Sequence, residues 1–153
     1  MTTASVLGAL DQMAVVIATI SEIKACYTAT GSGVSSASRP IPQSIDDGPV
    51  GVMWIGSAQL QAGNAEVLLF RPTCDVWVRA TNAGFANKSI SAMPDRFIAK
   101  FRTNLGLADN VTRCLMTGWD EPFIETSNKQ EYLVLPITFE LLILHFAHDY
   151  ALS

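Results

Sequence analysis

The segment from Glu131 to Phe146, EYLVLPITFELLILHF, restricts the possible folds of this chain more than any other stretch. Its odd positions from Leu133 to Ile143 are all apolar, and a period of two is typical of a strand with one face in the core. The even positions are mixed from Tyr132 to Glu140 and uniformly apolar from Leu142 to Phe146, so we expect only the second half to be covered on both faces. A helix is the alternative, but Pro136 would break it and the neighbouring β-branched residues favour a strand.

The size and composition of the chain suit one domain that associates with other copies. A chain of 153 residues is the size of a single domain, which we place at residues 1–153. Hydrophobic residues make up 49% and charged residues only 16%, which predicts apolar surface that is hidden in an oligomer. No apolar run approaches the roughly 20 residues that span a bilayer, and no basic segment opens the chain as in a signal peptide. We therefore expect no membrane contact and a cytosolic protein.

No residue cluster in the sequence suggests metal binding or catalysis. The three cysteines, Cys26, Cys74 and Cys114, lie 40 or more residues apart, which predicts reduced, mostly buried thiols. Asp46 and Asp47 stand in tandem, but no further ligand follows at metal-binding spacing, so a solvated turn is the preferred interpretation. The two histidines have no third ligand nearby in the sequence. We expect no metal, no cofactor and no catalytic residue.

Basic and acidic residues are segregated along the chain. The net charge of −4 argues against a dedicated grip on nucleic acid, which depends on neutralising phosphates. Residues 71–113 carry seven basic and three acidic residues, whereas residues 114–153 carry one basic and six acidic residues. This segregation favours a head-to-tail contact between identical subunits, in which the two regions meet. Solvated faces whose charges average out are the alternative.

The periodicity of the remaining segments predicts an α+β domain, a mostly antiparallel sheet of about five or six strands with two helices packed on it. Pro72 should mark a bulge or an edge of that sheet. The predicted elements are a helix from Val6 to about Ser21, a strand from Ile23 to Thr28, a long loop from Thr30 to Pro49, strands from Val50 to Ile55 and Ala65 to Ala80, a polar loop from Thr81 to Ser89, a helix from near Pro94, and strands at Asn110 to Gly118, Phe123 to Thr126 and Glu131 to Phe146.

Six residues are candidates for contacts with a partner, because their pattern exposes them and their chemistry suits an interface. Trp77 lies among polar residues on one face of its strand, so it should be partly exposed, either shielding neighbouring strands or anchoring an interface. The others lie in the long loop and in the polar loop before the second helix: Arg39, Ile41, Asp46, Asp47 and Phe85.

The order of these segments resembles a known family. An amphipathic N-terminal helix leads into IKACYTAT, and a Pro-rich loop, the strand AEVLLFRPTCDVWVRA, the helix PDRFIAKFRTNLGL and the closing strand YLVLPITFELLILHF follow. This pattern is similar to the tail terminator (tail completion) proteins of long-tailed bacteriophages. The resemblance covers nearly the whole chain, although it contains no diagnostic invariant string.

The resemblance implies a ring, usually of six subunits, that stops growth of the tail tube and presents a surface to the head-side connector. The implied partners are copies of the chain itself, the tail tube protein and the head-tail connector protein, with DNA only as cargo that passes through the ring. The implied location is the virion tail or neck, after assembly in the host cytoplasm. Such a protein works by contact, without bond chemistry, and the resemblance assigns no individual interface residue.

Three other functions fit parts of the same pattern. Related neck and tail-tube proteins share much of the architecture, so another position in the virion stays open. A small enzyme or ligand-binding domain would need convergent polar groups, and the sequence provides neither a Ser/His/Asp set nor a phosphate-binding glycine loop. A host-encoded oligomeric scaffold would have the same sequence features.

Overall fold

The computed structural model describes residues 6–28, 41–42, 48–61, 64–103 and 113–144. These residues form two helices and a six-stranded, mostly antiparallel sheet, which confirms the predicted α+β class. The elements are α1 (Val6–Ala18), β1 (Ala25–Thr28), β2 (Val50–Gln61), β3 (Asn64–Arg79), α2 (Ala83–Arg102), β4 (Arg113–Trp119), β5 (Phe123–Ser127) and β6 (Gln130–Leu144).

The sheet is arranged around β6, as the sequence predicted. The strand order is β1-β2-β3-β6-β4, and β5 pairs with the same side of β6 as β4 does. Among the described strand pairs, β1 with β2 is parallel and the others are antiparallel. The predicted apolar face of β6 is confirmed, because its odd positions from Leu135 to Ile143 are buried in the main core.

Pro136 occupies a position in β6 at which a proline does not interrupt the hydrogen bonds of the sheet. Its carbonyl accepts a hydrogen bond from the backbone N–H of Asp120, so this side of Pro136 faces β4 and β5. The pairing of β4 ends opposite Ile137, and that of β5 begins opposite Val134. Pro136 therefore lies in the gap between two short partner strands, where no ladder bond requires its missing N–H.

The two helices lie on one face of the sheet and cover different strands. α1 packs on β1 and β2, whereas α2 packs on β3, β6 and β4. The rings of Phe97 and Phe101 on α2 meet Phe139 on β6, with centroids 6.2 and 4.8 Å from it. All three rings are buried, and each buried aromatic side chain contributes about 1.5–3 kcal/mol to stability.

The start of α2 differs from the prediction. We expected a polar loop up to Ser89 and a helix from near Pro94, but the helix begins at Ala83. Asn82 caps it, since the Asn82 Oδ1 accepts a hydrogen bond from the Phe85 backbone N–H at 3.0 Å. Pro94 lies inside the helix, where its ring removes one donor without ending the element.

The hairpin formed by β2 and β3 is longer than predicted. β2 continues to Gln61, through a region that we expected to form a turn from Gly56 onward. A register shift in β2 between Trp54 and Ser57 lies opposite Pro72, which confirms the bulge predicted at that proline. Most of the long loop predicted between Thr30 and Pro49 lies outside the described residues.

Candidate subunit interface

Trp77 is buried on the sheet face opposite the helices, which we call the far face. Its side chain is 1% exposed, so the prediction of a partly exposed tryptophan is wrong. The indole packs edge-on against Tyr132, with ring centroids 5.7 Å apart, and among the described residues its Nε1 has no hydrogen-bond partner. The role of Trp77 within one subunit is thus to fill an apolar cluster with Val50, Val52, Tyr132 and Val134.

The other predicted contact residues are not brought together in one place. Ile41 is half-buried and packs against the far-face cluster, so it covers apolar residues of its own subunit. Phe85 lies in the first turn of α2 and is 43% exposed. Arg39, Asp46 and Asp47 lie outside the described residues. Of the six candidates, Phe85 is the one that the described structure presents on the surface as a large apolar side chain.

The far face becomes polar away from Trp77. Arg71 and Glu140 form a salt bridge of 3.3 Å there, with 47% and 27% of their side chains exposed. The hydroxyl oxygens of Thr117 and Thr138 are 3.0 Å apart, and Thr138 also donates to the Gly118 carbonyl. An exposed ion pair such as Arg71–Glu140 contributes at most about 1 kcal/mol. This half of the far face is therefore a polar, partly solvated surface and adds little to stability.

Two margins of the sheet carry exposed apolar side chains, and the strand order places them on opposite sides of the subunit. We call the edge formed by β1 with α1 above it the β1 margin. We call the edge formed by β4 and β5, with the adjacent flank of α2, the β4 margin. Among the described strands, β1 and β4 are the two ends of the strand order, the positions at which sheets can pair with a neighbour.

The β1 margin exposes apolar residues on the outer side of α1. Leu7 is 51% exposed and Val15 is 60% exposed, and the helical spacing of four places Asp11 between them. The opposite side of α1 holds Met13 and Ile17 in the core. We call Leu7, Asp11 and Val15 the α1 stripe; it is a helix face with one acid and two large apolar side chains.

The β4 margin exposes Trp119 at 51% and Ile124 at 55%. A β-bulge in β4 sets the direction of Trp119, since Met116 and Gly118 pair with consecutive residues of β6. The extra residue shifts the alternation, and Trp119 falls opposite Ile137 on the helix-facing side. The side chain therefore lies beyond the part of the sheet that α2 covers.

A groove runs between α2 and β4 at the same margin. It encloses a volume of about 170 Å³, and its described lining is Ile98, Phe101, Arg102, Cys114, Leu115 and Met116. Met116 pairs with Phe139 and so faces α2, whereas Leu115 pairs with Glu140 and so faces away from the helices. The exposed Arg102 lies at the end of α2. The groove thus combines apolar walls with positive charge at one end.

A second cavity, of about 480 Å³, lies between α2 and the turn that follows α1. Arg96 Nε contacts Glu22 Oε1 at 2.8 Å in this cleft. A backbone hydrogen bond is the largest cause that lowers the pKa of Glu22, and Arg96 lowers it further. A carboxyl group with a lowered pKa suits an ion pair between this turn and α2, since a general acid needs a raised pKa.

The thiols are free and mostly buried, as predicted. Burial raises the pKa of Cys114 to about 12, and it raises the pKa of Cys74 well above its ordinary value. Gly51 lies between Cys26 and Cys74, because a Cβ atom there would stand 3.0 and 3.3 Å from their sulfurs. Within the described part of the chain, no group of three or more potential metal ligands occurs.

Comparison with known proteins adds no family assignment. The sequence matches no protein-family model, and a search of curated proteins found no significant match. The described helices include none that is long and apolar enough to cross a membrane.

Sequence reasoning missed the apolar residues of both margins. The signal for the α1 stripe was present, because Leu7 and Val15 fall on the side of the helix opposite its apolar face. The exposure of Trp119 could not be inferred, since it depends on the position of the bulge in β4.

Proposed function

We propose that this chain is a structural virion protein that assembles into a ring at the head-proximal end of a phage tail tube. In this proposal it acts as a tail terminator, stops tube growth and joins the tube to the head-side connector. The sequence pattern supports the proposal through its resemblance to that family, and the α+β fold is compatible with it. The function would require contact between proteins and no bond chemistry.

The observation that carries the proposal is the position of the two exposed apolar margins. Because the two margins lie at opposite edges of one sheet and differ in sequence, a contact between them is heterologous. A heterologous contact repeats from copy to copy and forms a ring when the rotation closes. We take six as the expected number of subunits from the family resemblance.

The charges of the described surface are segregated, a pattern that a contact between identical subunits can use. α2 carries Lys88, Arg96, Lys100 and Arg102 against Asp95, so its outer side is basic. The loop and strand that follow β4 carry the acids Asp120, Glu121 and Glu125. Segregated charges speed the encounter of identical subunits and disfavour contacts between like surfaces.

The decisive experiment is electron microscopy of the purified chain mixed with tail tubes built from the tube protein encoded near its gene. We expect ring-shaped density at one end of each tube and none along its length. Copies distributed along the tube wall would indicate a tail-tube protein instead. Tubes with bare ends at saturating concentrations of the chain would refute the proposal.

Sedimentation velocity at several salt concentrations tests the electrostatic part of the assembly. We expect the association constant to fall as salt rises, because screening weakens contacts between exposed charges. Association that does not respond to salt would show that the segregated charges have no role in the ring.

A further inference from the structure

We propose that the α1 stripe of one copy lies in the groove between α2 and β4 of the next copy. This inference names the subunit contact of the proposed ring and therefore rests on the proposed function. Its basis is the match of the two surfaces in position, size, apolar character and charge.

The arrangement of the helical layer shows where an additional helix fits. α1 covers β1 and β2, and α2 covers β3, β6 and part of β4. Trp119 and Ile124 face the same side of the sheet beyond α2, and both are about half exposed. A helix beside α2 at this margin would continue the layer across the last strands. The neighbouring copy can supply it, because its α1 lies at the opposite margin.

The dimensions of the two surfaces are similar. α1 has 13 residues and is therefore about 20 Å long. β4 has 7 residues and spans about 23 Å. A single helix of this length is therefore long enough to cover the groove and the rest of β4 from Arg113 to Trp119.

The apolar parts of the two surfaces complement each other. Leu7 and Val15 are among the most exposed large apolar side chains in the described structure. The groove offers the half-buried Ile98 and Met116 as walls around an unfilled volume of about 170 Å³. Such a void accommodates one or two aliphatic side chains, and filling it restores the packing contacts that its lining lacks.

The charges select the same pair of surfaces. Asp11 is exposed at the centre of the α1 stripe. Arg102 lines the groove. An aspartate beside an arginine forms charge-assisted hydrogen bonds that fix the register of a helix in a groove. Two copies of the groove facing each other would instead bring two arginines together.

A charge swap in the full-length chain tests this contact, with association measured by sedimentation at low salt and at the highest soluble concentration. We expect Asp11→Arg and Arg102→Glu each to lower the association constant about tenfold or more. The double variant should recover most of the loss, because every contact then contains a reversed pair. The matched controls are Glu131→Arg and Lys129→Glu, exposed residues of the same charges away from the groove, and they should associate like the original chain.

Cross-linking tests the geometry independently. Val15→Cys and Met116→Cys variants, oxidised as a mixture, should form a disulfide-linked pair that neither variant forms alone. The double variant should give a ladder of linked species on a denaturing gel. Linkage in either single variant alone would reveal a symmetric contact and overturn the inference.

The outcomes separate this contact from the ring itself. If the original chain assembles but the charge variants associate normally, the contact is wrong and the ring proposal stands. If the groove is filled by another segment of its own chain, Arg102→Glu will lower stability without changing association, which also overturns the contact. If the original chain remains a monomer at every concentration, this inference fails, and imaging of tube ends decides the proposed function.

Discussion

Replacing Gly51 with alanine tests the placement of β1, the part of the fold that the sequence revealed least. β1 is a four-residue edge strand, parallel to β2, and Cys26 pairs with Gly51 in the register. A Cβ atom at residue 51 would stand 3.0 Å from the Cys26 sulfur and 3.3 Å from the Cys74 sulfur. The substitution therefore overpacks a site between two thiols that come from separate strands.

The magnitude follows from two opposing effects. Overpacking of a core typically costs about 1–3 kcal/mol. Alanine also restricts the unfolded chain relative to glycine, which returns about 0.4–1 kcal/mol. Cys74 is fully buried and has little room to move, whereas Cys26 is half-buried on an edge strand. We expect Gly51→Ala to lower the free energy of unfolding by about 1–2 kcal/mol.

A double-mutant cycle identifies the source of this cost. Cys26→Ala removes the closer of the two sulfurs, so Gly51→Ala should cost less in its presence, with a coupling energy of about 1 kcal/mol. Urea unfolding followed by tryptophan fluorescence and far-UV circular dichroism measures each corner of the cycle. Cys114→Ala on β4 is the matched control, since it removes a buried thiol on the other side of β6 and should be additive with Gly51→Ala. Additivity between Gly51→Ala and Cys26→Ala would refute the juxtaposition of β1 with Gly51.

Three further predictions concern stability. Asn82→Ala should cost about 1 kcal/mol in urea unfolding, because it removes the side-chain acceptor that caps α2. Trp77→Ala should cost about 3–5 kcal/mol, and Trp77→Phe should cost clearly less, since the described structure gives the indole Nε1 no partner to lose; equal costs would contradict this. The pKa of Cys114 is raised to about 12, so the thiol favours the folded state over the unfolded chain. This contribution to the free energy of unfolding is complete below the ordinary thiol pKa and falls as pH rises toward 12, by up to about 1.4 kcal/mol per pH unit. Cys114→Ala should remove that part of the slope in unfolding measured from neutral to alkaline pH.

The central strand could be predicted from the sequence because its signal is local. Alternation from Leu133 to Ile143 depends only on neighbouring residues and on the strand period. Pro136 counted against the alternative of a helix, and in the strand a gap between β4 and β5 accommodates it. The number of partner strands on each side is set by tertiary pairing, and no local pattern contains that information.

The first half of α2 was missed because two local rules disagreed. Pro94 favours the first turn of a helix, and this preference set the predicted start. Ala86, Ile90 and Met93 recur at gaps of four and three, in phase with Phe97, and all four are buried. The core contacts of those residues outweigh the loss of one backbone donor, so the apolar period was the better guide.

Trp77 was misplaced because its own strand gave an incomplete description of its surroundings. Its same-face neighbours Arg71, Thr73, Asp75 and Arg79 are polar, which suggested a solvated face. In the sheet, however, it lies between Val50 on β2 and Val134 on β6, and Tyr132 packs on it. The environment of a residue in a central strand is decided by the strands on either side, and their register was not available from the sequence.

The difference between the two margins bears on which kind of oligomer is possible. In a two-fold dimer each surface meets itself, so the groove with Arg102 would face a second Arg102, and the α1 stripe would face a second Asp11. Like charges at an interface cost several kcal/mol, which disfavours both symmetric contacts. A head-to-tail contact replaces each repulsion with an attraction and leaves one unpaired margin at each end of a growing row. In the proposed ring, closure would remove those ends, so head-to-tail pairing of the two margins would leave fewer apolar residues exposed than an open row.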